Sequence, residues 1–335
     1  MKHYNIPIFV PHRGCPNDCV FCNQKRITGT LDDVTVQDID NTIEEYLKTL
    51  PKDNRTVEVA FFGGSFTGID FDMQGQFLST AHKYIKNGLI DGIRLSTRPD
   101  YIDEVILEQL KKYGVTTIEL GVQSLDDDVL RAANRGHTAK DVYSAVKLIK
   151  EYNFSLGLQM MTGLPGDTDK KAIETAKKII ELKPDFARIY PTLVLKDTRL
   201  EEMYKNGQYS PQGISNAVSL CKELLLLFTE SGIPVIRIAL QTTDEISPNG
   251  SLVAGPFNPQ FRELVESEIY FDKFATALEE ISAKDIIISV NSKDISKAIG
   301  SNKANINKIK NLYDINLKIV GDDKINPGNF CIVNN

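Results

Sequence analysis

Apolar, β-branched runs alternate with stretches of helical periodicity along most of the chain. Runs at 6–10, 57–62, 93–95, 115–121, 156–161 and 186–190 predict strands. They read as apolar on both faces, which predicts a parallel sheet covered by helices. Helices are predicted at 36–50, 70–87, 101–113, 138–151, 169–182 and 214–231. Within 169–182, Ala172, Ile173, Ala176, Ile179 and Ile180 lie on one helical face, and Pro184 follows as a stop.

Each predicted strand runs into a loop bearing Gly, Pro or Cys. Landmarks at 15, 63, 96, 121, 159 and 190 are 25 to 48 residues apart. Each gap holds one βα unit, which takes about 30 residues. In a parallel β/α barrel such loops open at one end, where chemistry is built. Gly and Pro alone could punctuate strand ends. That account leaves out Gln123 and Gln159, polar residues at strand ends. Gly63-Gly64 is not followed by the Gly-Lys-Ser/Thr of a phosphate loop, although paired glycines allow close backbone approach to a ligand. With four His, a His-based triad is not suggested.

Beyond about residue 270 the pattern changes. Residues 286–290 and 315–320 predict strands, and 294–299 and 303–312 predict two short helices. Ile299-Gly300-Ser301-Asn302-Lys303 lies between those helices. Residues 284–335 carry eight Lys, five Asp and no Arg or Glu, a net +3 that leaves −9 for residues 1–283. The overall net charge of −6 therefore conceals a basic end and does not exclude a nucleic-acid partner.

The 335 residues, 41% of them apolar, have an ordinary globular composition, which excludes a disordered or fibrous protein. No apolar run approaches the roughly 20 residues needed to span a bilayer. The run 6–10 is too short for a signal peptide and contains Pro7, so a cytoplasmic location and no membrane partner are expected. There are five Cys, and Cys15, Cys19 and Cys22 fall within eight residues. An odd count in a reducing compartment argues against a disulfide framework. Cys221 lies on the apolar stripe Val218, Cys221, Leu224, Leu225, Phe228, and both it and Cys331 are expected to be structural thiols. Three clustered thiols point instead to a metal. Zinc would need a fourth ligand, for which His12 is the only local residue; a cubane iron–sulfur cluster would use three thiolates and leave one iron open. The spacing favours the cluster.

These residues resemble the radical SAM enzymes, over roughly 4–270. The resemblance is carried by CPNDCVFCNQKRITG (15–29), FFGGSFTG (61–68), LSTRPDYI (95–102), ELGVQSLDDDVLRAANRGHT (119–138), MMTGLPGDT (160–168), RIYPTLVLKDTRLEEMYKNGQY (188–209) and AGPFNPQFRELVES (254–267). It is nearest to the branch with the catalytic subunit of Elongator and, more distantly, the anaerobic coproporphyrinogen dehydrogenases. It implies a partial (β/α)6 barrel of the TIM type, class α/β, over 1–270. It implies that Cys15, Cys19 and Cys22 hold a 4Fe–4S cluster whose open iron takes S-adenosylmethionine (SAM). One-electron cleavage then yields a 5′-deoxyadenosyl radical, the electron coming from a donor such as flavodoxin or ferredoxin. Gly63, Gly64 and Ser65 stand at the family's Gly-Gly-Glu, facing the methionine part, with Ser65 replacing Glu. Ser96 stands at a ribose-binding position. Gln123, Arg135 and Gln159 match SAM contacts, Gln159 replacing Asp. Phe21 matches the aromatic near adenine. Tyr190, ending the sixth strand, is the candidate to face substrate.

The segment 271–335 resembles a KH domain, in which a G-x-x-G turn clamps nucleic-acid backbone. Here Lys303 replaces the second Gly. Gly300, Lys297, Lys303 and Lys308 are the candidate RNA-binding residues, and the expected substrate is RNA, with transfer RNA foremost. The Elongator subunit carries an acetyltransferase domain for which this chain is too short, so acetyl transfer is not expected. The alternatives are a radical SAM enzyme acting on a small molecule such as a tetrapyrrole, and a non-catalytic, metal-stabilised RNA-binding protein.

Overall fold

The computed structural model describes residues 2–10, 19–23, 34–279, 281 and 283–333. They fall into two compact units, Met1–Gly213 with Leu227–Pro256, and Ile214–Leu226 with Phe257–Asn335.

In the first unit seven parallel strands follow one another in sheet order as they do in sequence. They are β1 (Lys2–Val10), β2 (Arg55–Gly63), β3 (Gly92–Thr97), β4 (Val115–Gln123), β5 (Ser155–Thr162), β6 (Phe186–Pro191) and β8 (Val235–Ile238). The sheet is the curled half-barrel wall that six strands alone were expected to build. The seventh strand, β8, has four residues, too few to show a period of its own. A short pair, β7 (Val194–Leu195) and β9 (Leu252–Ala254), runs antiparallel beside it in sequence.

Between the strands lie α1 (Val36–Thr49), α2 (Phe71–Lys86), α3 (Glu104–Lys112), α4 (Asp127–Ala132), α5 (Ala139–Glu151), α6 (Asp169–Glu181) and α7 (Arg199–Lys205); α8 (Ile214–Glu230) follows. Their starts are chemically marked. Thr35 with Asp38, and Thr138 with Asp141, close capping boxes, while Asp103, Asp126, Thr168 and Thr198 accept from first-turn N–H groups. Helices α4 and α7 were not predicted, because six or seven residues hold fewer than two helical periods.

One expectation is corrected. The strands are uniformly apolar on one face only. Ile6, Val59, Ile93, Leu120, Leu158 and Ile189 are buried toward the helices. The opposite, concave face carries Glu58, Arg94, Glu119 and Arg188. Arg94 reaches Glu58 at 3.6 Å and Glu119 at 3.3 Å, and Arg188 Nε lies 2.6 Å from Glu119. Burying such charges is tolerable only because each is paired. The chain of pairs crosses β5 at Gly157, where a Cβ would sit 2.3 Å from Phe186 and 3.1 Å from Glu119 Cγ. Small size, not backbone freedom, is what that glycine provides. Each charge is one residue inside an apolar run, and in a one-residue window it does not break the pattern.

The second unit has a three-stranded sheet ordered β11 (Asn316–Gly321), β10 (Asp285–Val290), β12 (Phe330–Val333), with β10 parallel to β11 and antiparallel to β12. Helix α9 (Phe261–Leu278) runs across position 270. Its Tyr270, Phe274 and Leu278 share one core with Ile286, Ile288, Val290 and with Ala298 of α10 (Ile295–Ile299) and Ile309 of α11 (Ala304–Tyr313). The predicted β-α-α-β order is present, with β12 added. Cys221 is fully buried and its thiol is pushed up to about 12 by burial, but Cys331 is exposed on β12. A structural role therefore fits the first thiol and not the second. Among the described residues no helix is long and apolar enough to cross a membrane.

Candidate active site

Because the sheet is parallel, the loops after its strands share one end. Cys15 and His12 lie outside the described residues. Cys19 is buried and Cys22 half-buried, in one turn closed by Cys22 N–H donating to Cys19 C=O at 2.9 Å. Val20 rivets this turn from both sides. Its N–H donates to Ala133 C=O at 3.1 Å, and its C=O accepts from Leu200 N–H at 2.7 Å. Its side chain sits in an apolar cluster with Val129, Ala133, Leu164, Val194, Leu200 and Tyr209, against which Phe21 packs. Asn23 Nδ2 adds bonds to the carbonyls of Lys196 and Asp197 at 3.2 and 3.3 Å. The otherwise irregular turn is thus held by backbone groups from the ends of α4 and α7.

Arg135 joins the turn to the sheet. Its Nη1 donates to Cys19 Sγ at 3.5 Å and its Nη2 to Gly121 C=O at 2.8 Å. The side chain is buried, and its Nε has no partner among the described residues. A buried cationic donor left open beside a cysteine thiol suits an anionic group held there. The donor set, two thiols of one turn with a third Cys four residues upstream, suits a thiolate-bound cluster.

At the end of β4 the backbone bulges between Gly121 and Gln123, and Gln123 takes φ 66°. That strained conformation re-aims the side chain. Gln159 of β5 then donates to Gln123 Oε1 at 3.1 Å. Gly121 leaves room for both neighbours, since a Cβ there would stand 2.8 Å from Arg135 Nη2 and from Gln123 Nε2. Arg135, Gln123 and Gln159 are thereby brought together. Ser96, Gln159 and Tyr190 lie on the concave face, as the register of Ser96 with Glu119, Gln159 with Arg188 and Met161 with Tyr190 requires. Tyr190 OH accepts from Arg188 Nη1 at 3.2 Å.

Gly63 ends β2 at φ 107°, a conformation open to glycine, and Gly64 N–H donates to Val10 C=O at 3.0 Å. Ser65 is buried and its C=O accepts from Gly68 N–H at 3.0 Å. The Gly163–Asp169 loop and residues 208–212 enclose a cavity of about 290 Å3. Burial raises the Asp167 carboxyl to about 6, against the N–H groups of Gly163 and Thr168 that lower it. His137, two residues beyond Arg135, is held down to about 3 by burial and by the Arg135 charge.

In the second unit Gly300 takes φ 75°, and a Cβ there would sit 2.8 Å from Ser267 Oγ and 3.2 Å from Asn305 N. Asn302 and Lys303 are left-handed at φ 52° and 60°. Lys303 is exposed and has no ionic partner among the described residues. Lys297 pairs with Glu266 at 2.8 Å and Asp294 at 3.2 Å, and Lys308 pairs with Glu268. The acidic α9 thus neutralises two of the three candidate lysines and leaves Lys303. Beside Ser301, a cavity of about 390 Å3 is lined by Ser219, Lys222, Ser267, Glu268 and Lys308.

Sequence reasoning missed the Val20 rivet and the Glu58–Arg94–Glu119–Arg188 network. The first is made by backbone atoms and leaves no residue signature. The second is made by pairing between strands, and the sequence shows it only as a single charge within each of four strand runs.

The profile of the radical SAM superfamily matches residues 9–179, and that of the Radical_SAM C-terminal domain matches residues 184–270. The chain is similar to Elongator complex protein 3 of Saccharomyces cerevisiae, with 33% identity over 66% of this chain and 42% of that protein. It is similar to the tRNA uridine(34) acetyltransferase of Methanocaldococcus jannaschii, with 31% identity over 52% of this chain and 36% of that one. It spans less than half the length of these curated relatives. Among solved structures, Elp3 of Methanocaldococcus infernus, with an N-terminal deletion, matches at TM-score 0.63 and 23% identity, over 82% of this chain and 64% of that one. Coproporphyrinogen III oxidase (HemN) of Escherichia coli matches at TM-score 0.50 and 18% identity, over 81% and 58%. These two likenesses show the fold.

Proposed function

The chain belongs to the radical SAM superfamily, and on that premise we propose that this enzyme modifies RNA, with transfer RNA as its substrate class. The observation that carries the radical SAM site is the Arg135 bridge from Cys19 Sγ to Gly121 at the end of β4. Cys15, Cys19 and Cys22 would hold the 4Fe–4S cluster. When bound, that cluster supplies the electron that cleaves SAM to methionine and a 5′-deoxyadenosyl radical, which takes hydrogen from substrate. The chain's own residues bind and orient. Gly63 and Gly64 would offer their backbone to the methionine part, with Ser65 beside them. Ser96 would take the ribose, and Gln123, Arg135 and Gln159, gathered at the end of β4, would hydrogen-bond SAM. Phe21 would pack by the adenine, and Tyr190, whose hydroxyl is held by Arg188, would face substrate.

The RNA part of the reading is supported by the names of the relatives and by the exposed Lys303 beside Gly300. The C-terminal-domain profile ends at 270, whereas α9 crosses that position and belongs to the second compact unit, so the KH-like module is read as 271–335 together with the α9 segment that packs on it. A cytoplasmic location and an external donor such as flavodoxin or ferredoxin belong to the same reading.

Two experiments test it. Anaerobic reconstitution and reduction with SAM should release 5′-deoxyadenosine, and Cys15→Ala should abolish the release. A wild type that binds no iron and never cleaves SAM ends the enzyme reading. RNA recovered anaerobically with the protein should contain a nucleoside whose modification is lost in a deletion strain. Unchanged nucleosides would point to another substrate.

A further inference from the structure

We propose that Arg237, next to Arg188 on the concave face of the sheet, is an anion subsite that takes a phosphodiester of the RNA substrate. The inference rests on the RNA reading above and adds to it a residue and a group.

Register places the two side chains together. Arg188 of β6 stands opposite Arg237 of β8, and the register shifts between Ala187 and Arg188. Ala187 pairs with Val235 and Arg188 with Arg237, so Ile236 is the extra residue. This bulge puts Arg237 on the face that carries Glu119, Gln159 and Tyr190. Without it, Arg237 would alternate to the helix side.

The charges on that face do not balance. Among the described residues it presents the guanidinium groups of Arg94, Arg188 and Arg237 against the carboxylates of Glu58 and Glu119. Both carboxylates are already shared. Glu58 receives His3 at 2.8 Å and Arg94 at 3.6 Å, and Glu119 receives Arg94 at 3.3 Å and Arg188 at 2.6 Å. Arg237 donates from Nη1 to the amide Oε1 of Gln241 at 3.1 Å, and no carboxylate among the described residues pairs with it. Like charges on neighbouring strands repel. One positive charge is left over, half-exposed, and next to the Arg188 that holds Tyr190 OH.

Position and chemistry then name the ligand. β8 is the last strand of the sheet, so a polymer can lie across this edge and still reach the loop end. A guanidinium presents a planar fork that matches phosphate oxygens. A phosphodiester here would supply the missing negative charge and hold the chain of nucleotides beside Tyr190. The competing account is an inward charge that guards an edge strand against pairing with another sheet.

Bulk transfer RNA serves as the probe, with binding to the full chain measured over a salt series. Arg237→Gln should weaken binding and reduce the slope of log affinity against log salt by about 0.7–0.9, the loss of one phosphate contact. Arg237→Lys should restore the slope, and far-ultraviolet circular dichroism should show all three proteins equally folded. An identical slope in wild type and Arg237→Gln overturns the subsite, and new self-association of that variant then assigns Arg237 to edge protection. A wild type that binds no transfer RNA at any salt overturns the RNA reading and this subsite with it.

Discussion

Arg135 reaches back across 116 positions of sequence to donate to Cys19 Sγ at 3.5 Å, while its second amino group holds Gly121 C=O at 2.8 Å. One side chain thus fixes the distance between the cysteine turn and the end of the central strand. Arg135→Gln should destabilise the apo-protein by about 1–3 kcal/mol, the cost of a lost hydrogen bond to a charged group. It should also lower the iron retained after reconstitution. Urea unfolding and colorimetric iron assay measure the two effects. Equal iron and equal stability would show that the contact is incidental.

Gly121 separates positioning from stability. The close contacts of a Gly121→Ala methyl are the far ends of Arg135 and Gln123, both of which can move, while the Thr97 C=O stands at an ordinary 3.7 Å. The variant should lose less than about 1 kcal/mol of stability. SAM affinity should fall about tenfold, the equivalent of one displaced hydrogen bond. Equilibrium dialysis with SAM, beside thermal melting, distinguishes these outcomes.

Glu119 is the shared carboxylate of Arg94 and Arg188. Glu119→Gln leaves two buried guanidinium groups short of an anion. The expected loss is about 3–5 kcal/mol. Chemical unfolding of the apo-protein checks it, and a loss below 1 kcal/mol would mean that solvent reaches the network.

His137 gives a pH signature. Its folded pKa is depressed from 6.5 to about 3 by burial and by Arg135. The unfolded chain therefore binds the extra proton first. Its contribution to stability is full above about pH 6.5 and is lost as pH falls toward 3, at up to about 1.4 kcal/mol per unit. The Nε2 atom lies 3.2 Å from Val122 C=O, which selects the Nε2–H tautomer. Long-range 1H–15N spectra should show the His137 ring unchanged from pH 8 to 5. A midpoint near 6.5 would place the ring in solvent.

Gly300 tests the turn of the second unit. A Cβ at φ 75° meets the backbone N of Asn305 at 3.2 Å as well as Ser267 Oγ at 2.8 Å. Gly300→Ala should cost about 1–3 kcal/mol, read as faster amide exchange in 285–321. Unchanged exchange would show that the turn relaxes freely.

The strand and helix periods, the Gly-bearing loops and the Cys spacing were legible because each is a local pattern. So was Gly300 between two short helices. What was not legible arises from pairing. The polar concave face was hidden because Glu58, Arg94, Glu119 and Arg188 lie in different strands, and each alone is one charge that leaves its apolar run intact. Lys297 and Lys308 read as free basic charge until α9 set Glu266 and Glu268 against them.

The sequence by itself determined the α/β class, the order of the strands and the set of candidate ligands, since hydrophobic period and motif spacing act within one segment. Only the tertiary structure decided which of these residues meet. The bulge at Gln123 and the register of Arg188 with Arg237 are settled by hydrogen bonds between strands. The ion pairs of Glu58, Arg94, Glu119 and Arg188 likewise join residues tens of positions apart, and a local pattern carries no record of them.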